Sequence, residues 1–93
     1  MTTNTAIVYR VRESHVAWRA AGDEAVLLDV RRSVYFALDR SAALLWPRLV
    51  AGATAAELTA LLTERTPVDA DRAGADVQAF LAELESAGLV DRH

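Results

Sequence analysis

Few groups in this sequence could do chemistry, and their spacing is poor for catalysis. Ser14 and His15 are adjacent, and an aspartate could be added on paper to imitate a hydrolase triad. A triad of the hydrolase kind needs its serine on a strained turn and its base oriented by a third group, and no Gly-x-Ser-x-Gly pattern is present. His15 therefore reads as a structural histidine on a short strand. Paired carboxylates occur at Asp69/Asp71 and Glu83/Glu85. A spacing of two turns each pair apart around a helix, and the first pair sits where a helix start favours negative charge. The glycines at 22, 52, 74 and 88 are too scattered to cradle a phosphate. The only other histidine is His93, and there is no cysteine. Thiolate zinc sites, disulfides and cysteine nucleophiles are thus excluded, and histidine-based metal clusters nearly so. The expectation is a binding module that is not an enzyme, with no cofactor and no metal.

The residues that must position any binding surface belong to one domain. The chain has 93 residues, 53% of them hydrophobic and 25% charged, which suits a single globular core. No apolar run approaches the roughly 18 residues of a membrane span. Residues 1–6 lack the charged-then-apolar pattern of a secretion signal, so the expected compartment is the cytoplasm. Net charge is −3, and every basic residue is an arginine. The charge is uneven: residues 1–50 hold seven Arg against five Asp/Glu, residues 51–93 three against eight. An acidic second half is a poor match for phosphate backbones.

The chain reads as strands first, then helices. Residues 7–11 alternate and suggest a short strand or an ordered arm within an N-terminal segment 1–13. Residues 14–90 form the domain proper. Val16, Trp18 and Ala20 alternate in a first clear strand, Gly22-Asp23 marks a turn, and Ala25 to Val30 is a second. Arg31-Arg32-Ser33 breaks the pattern before Val34 to Leu38. The short links favour an antiparallel meander. From Asp39 the period becomes helical. Asp39 or Ser41 can cap a helix to about Val50 that buries Ala42, Leu45, Trp46 and Leu49. Pro47 lies inside it and predicts a kink or a shorter helix. Thr54 to Glu57 is a capping box for a second helix, stopped at Thr66-Pro67. Asp69 caps a third, whose stripe of Ala73, Val77, Phe80, Leu81 and Leu84 runs to Gly88. The fold class is therefore α+β, winged-helix-like, with a three-stranded antiparallel sheet followed by three helices.

A winged-helix outline raises DNA first. The last helix, however, carries Asp71, Arg72, Asp76, Glu83 and Glu85, and Gln78 alone cannot supply base-edge and phosphate contacts. DNA binding is thus the alternative and not the expectation. The more informative surface is the free side of Val34 to Leu38. That edge has neither charge nor proline, the usual devices against unwanted pairing. It suits an extended peptide added as a further strand.

The stretches Val26-Leu27-Leu28-Asp29, Tyr35-Phe36-Ala37-Leu38-Asp39 and Ala42 to Trp46 resemble the PqqD-like family. So does the tail Asp69 to Val90, with Ala75-Asp76-Val77, Phe80-Leu81, Leu84 and Ala87 to Val90. The resemblance spans about residues 14–90 and rests on hydrophobic patterns taken as a set. It implies a recognition element for ribosomally made, modified peptides. Such an element binds a precursor's leader peptide on its third strand, in a cleft closed by the last helix, and presents it to a modifying enzyme. The Tyr-Phe-Ala-Leu-Asp run before the first helix is most similar to the stand-alone lasso-peptide type, which serves a separate leader peptidase. The subtype serving a radical SAM enzyme in pyrroloquinoline-quinone assembly is the near alternative. Asp39 stands where asparagine is common in the family, and Pro47 departs from its first helix. The implied binding residues are Val34, Tyr35, Phe36, Ala37 and Leu38 on the strand, with Ala73, Gly74, Val77, Gln78 and Leu81 on the helix. The implied partners are the leader peptide and the leader peptidase or other modifying enzyme, with no nucleic acid and no membrane.

Overall fold

The computed structural model describes residues 6–93. The N-terminal segment read from the sequence lies outside the described residues over positions 1–5. The element order is β1 (Val8–Val11), β2 (Val16–Ala21), β3 (Glu24–Asp29), β4 (Val34–Leu38), α1 (Arg40–Ala51), β5 (Ala53–Thr54), α2 (Ala55–Arg65), α3 (Ala70–Ser86) and β6 (Val90–Arg92). β2, β3 and β4 form the antiparallel meander, followed by three helices, so the α+β class and its winged-helix-like outline hold.

Local chemistry explains most of these boundaries. Gly22, at φ 65°, supplies the left-handed residue of the two-residue turn joining β2 to β3. Asp39 accepts from the Ala42 amide at 2.9 Å and starts α1. Thr54 and Glu57 exchange both bonds of the capping box, at 3.1 and 2.9 Å. Asp69 accepts from the Arg72 amide at 2.8 Å to start α3. At the far end Gly88, at φ 74°, donates to Glu85 and Leu89 donates to Leu84, both at 3.0 Å. This is a Schellman closure, and it turns Leu89 into the core.

Two expectations are corrected. Pro47 does not shorten α1, which runs through it to Ala51. Its missing amide costs one helical bond, while the neighbouring Trp46 and the opposite Leu45 and Leu49 are buried and hold the helix against the sheet. The strand count is also larger. β1 pairs with β5 on one side and β6 on the other, forming a second small sheet. Val8 and His93 exchange backbone bonds at 3.1 and 2.8 Å. Arg12 pairs with Asp91, and Arg92 donates to Glu85 at 2.6 Å. That last bond, followed by the Glu85 charge, raises the Arg92 pKa above its ordinary value.

One core fills the space between the inner face of the meander and the helices. Leu27, Trp46, Leu49, Leu58, Val77, Leu81 and Leu89 are its most enclosed members. Trp18 stands edge-on to Trp46, with ring centroids 6.2 Å apart.

Candidate functional site

Among the described residues the meander has two unpaired edges, because β3 is central and neither β2 nor β4 has a second partner. Which β4 amides face outward follows from two bonds. Val30 donates to the His15 carbonyl at 3.0 Å, and Ser33 to the Asp29 carbonyl at 2.8 Å. In an antiparallel ladder a residue directs both backbone groups to the same side, and successive residues alternate. Residues 24, 26, 28 and 30 therefore bond toward β2, and 25, 27 and 29 toward β4. Their β4 partners are Leu38, Phe36 and Val34. The N–H and C=O groups of Tyr35 and Ala37 are left pointing away from the sheet, at the open edge.

Beside this edge lies a cleft of about 520 Å³. Ala37 and Leu38 of β4, Ala42 and Leu45 of α1 and Leu62 of α2 supply apolar lining, and Ala79 and Phe80 come from α3. Asp39 and Ser41 lie at one end, and Arg72, Asp76 and Glu83 form a charged rim on the helix. The β2 edge differs. There the Arg40–Asp23 ion pair, at 2.8 Å, ties the hairpin tip to α1 beside Trp18.

The expected strand residues Val34, Tyr35, Phe36, Ala37 and Leu38 are brought together as β4. Phe36 is half-buried and Leu38 buried on the inner face, while Tyr35 is 70% exposed on the outer one. The expected helix residues are not brought to that cleft. Ala73, Val77 and Leu81 are buried in the core. Gly74 and Gln78 line a shallow groove against Ala55, Thr59 and Thr63 of α2. At 3.6 residues per turn, the buried stripe has two flanks. One, through Gly74 and Gln78, meets α2; the other, through Asp76, Phe80 and Glu83, meets β4. Sequence reasoning chose the stripe itself and missed the second flank. The spacing of 76, 80 and 83 at i, i+4 and i+7 was the available signal.

The loop that sets the start of β4 is held by Asp29. This carboxylate is fully buried, and its Oδ1 accepts from the amides of Arg31 at 3.0 Å and Arg32 at 3.3 Å. Its Oδ2 has no hydrogen-bond donor, the Arg32 Nε standing at 3.9 Å. Asp29→Ala removes the acceptor for two turn amides and lowers stability by about 1–3 kcal/mol. Thermal denaturation reads this as roughly 4–8 °C in Tm per kcal/mol for a domain of this size. Asp29→Asn keeps an acceptor oxygen and falls less. Equal melting of wild type and Asp29→Ala would show that the turn closes without this side chain.

Among the described residues no three His, Asp or Glu side chains gather to hold a metal, and no helix is long and apolar enough to cross a membrane. His15 lies with Nδ1 3.4 Å from the Gly88 carbonyl, at the end of α3.

The fold and the cleft define a small α+β module built around an unpaired strand. The family model described as Coenzyme PQQ synthesis protein D (PqqD) matches residues 24–90, well over half of the chain, and the chain belongs to that family. Two solved structures are similar over almost the whole chain. One is TbiB1 in complex with the TbiA(beta) leader peptide, 26% identical, covering 88% of this chain and 94% of its own, with a TM-score of 0.80. The other is lasso peptide synthetase B1 complexed with the leader peptide, 29% identical, covering 89% and 96%, with a TM-score of 0.77. No curated protein matches the chain.

Proposed function

We propose that this protein is a non-catalytic adaptor that binds the leader segment of a ribosomally made precursor peptide. The leader adds as a strand to β4 and is presented to a separate processing enzyme, a leader peptidase of the lasso type, in the cytoplasm. One observation carries the reading: the outward backbone groups of Tyr35 and Ala37 border a cleft of mixed lining, in which Phe80, Ala79 and Ala42 stand among Asp39, Arg72, Asp76 and Glu83. Both similar structures are leader-peptide complexes, which supports it. Backbone pairing supplies affinity with tolerance of sequence, and the apolar part of the lining demands a few apolar anchors at alternate positions. Two or three anchors at about 1.5–3 kcal/mol each, less the cost of ordering a flexible peptide, give an affinity of order micromolar.

The test is backbone amide exchange with and without a leader peptide, beginning with the TbiA(beta) leader. The expected result is new protection at Tyr35 and Ala37, with shift changes at Phe80. Protection at β2 or α2 that leaves residues 34–38 unchanged would rule out strand addition on β4. The DNA-binding alternative is not favoured, since the exposed charges of α3 are mostly acidic.

A further inference from the structure

The rim of the β4 cleft is net acidic, with Asp39, Asp76 and Glu83 against Arg72, and this selects among peptides that would fit it. Arg72 and Asp76 form an i,i+4 ion pair at 3.6 Å and largely cancel each other, while Asp39 caps α1 through the Ala42 amide. Two turns along the same flank, Glu83 is exposed and has no ion-pair partner among the described residues. The arginines flanking β4 are turned elsewhere: Arg40 pairs with Asp23. Arg32 leans on Asp29, and the Arg31 guanidinium lies against Gly88 at the end of α3. Neither lines the cleft.

The geometry points to a peptide with a cationic side chain two residues from its apolar anchor. This inference rests on the strand-addition reading above. Phe80 and Glu83 lie about 4.5 Å apart along the helix axis. Alternate residues of an added strand lie about 6.6 Å apart on one face. With the added strand running along α3, an apolar side chain seated beside Phe80 carries its second neighbour, on the same face, to within reach of Glu83. A lysine or arginine there gains an opposite charge, whereas an aspartate or glutamate meets repulsion. The selected ligands are accordingly extended peptides with the pattern apolar-x-basic or basic-x-apolar.

The probe is a phage-displayed library of random 12-residue peptides, selected separately against wild type and Glu83→Lys. Glu83 is exposed near the C-terminal end of α3, where a lysine is compatible with the helix dipole, so the variant keeps its fold. Wild type is expected to enrich an apolar residue with Lys or Arg two positions away. Glu83→Lys is expected to keep the anchor and enrich Asp or Glu at the same offset. A synthetic peptide from the wild-type selection should bind Glu83→Lys about five- to tenfold more weakly, and Glu83→Gln about two- to threefold, as rim ion pairs do. The difference should shrink as salt is raised. Peptides that protect Tyr35 and Ala37 but show no charge preference, or the same one for both proteins, would overturn this inference and leave strand addition standing. A selection that enriches nothing, or peptides that leave those two amides exchanging freely, would overturn both.

Discussion

Val77→Glu unfolds the domain. Val77 is 0% exposed on the core side of α3, among Ala73, Leu81 and Leu84. A glutamate there meets neither a cation nor water, and an uncompensated buried charge costs several kcal/mol even after relaxation. The whole stability of a domain this size is about 5–15 kcal/mol. Circular dichroism should show lost helix and no cooperative melt. Gln78→Glu is the control, since its side chain is exposed, and its effect should stay within about 0.5 kcal/mol. The pair separates the core stripe from its α2-facing flank. A Val77→Glu protein that melts like wild type would mean α3 is rotated from the position described.

Ala37→Pro abolishes most leader binding and leaves the domain folded. The Ala37 amide points to the open edge, so proline removes no bond to β3 and is tolerated as it is on edge strands generally. It deletes a donor the added strand needs and puts a ring in its path. An unpaired carbonyl on the incoming peptide costs about 1–3 kcal/mol, so affinity should fall about five- to 150-fold. Phe36→Pro should do the reverse. That amide belongs to the β3–β4 ladder, and its loss should lower Tm markedly before any effect on binding is considered. Calorimetric titration with a leader peptide, with melting curves for both variants, decides the matter. Equal loss of stability in both would mean the ladder parity is wrong; unchanged affinity in Ala37→Pro would mean the peptide binds elsewhere.

What could be read from the sequence was what is local. The Gly22-Asp23 turn, the Asp39, Thr54 and Asp69 caps and the Gly88 stop each need only a few neighbouring residues to be satisfied, and each appears where its chemistry placed it. β5 and β6 were illegible because they are two and three residues long and exist only through pairing with β1, far away in sequence. The face of α3 was half legible. An apolar stripe tells which residues are buried and is silent on which neighbour each flank meets, so Phe80 was read as core and Glu83 as solvated surface. The outward direction of the Ala37 amide depends on register, which no single strand encodes. The Pro47 penalty was judged locally, whereas the packing of Trp46 and Leu49 outweighs it.

The clasp between Val8 and His93 has a consequence for how the domain can be joined to other polypeptides. With β1 and β6 antiparallel neighbours, the start of β1 and the end of β6 sit at one spot. A host protein could carry this module as an insertion in a surface loop, its own ends there held only a strand spacing apart, about 4.8 Å. Closing so short a gap adds little entropy cost, and the same closeness lets a brief linker join Val8 to His93 for circular permutation. The β4 edge takes no part in that clasp, so a grafted copy would keep that edge open.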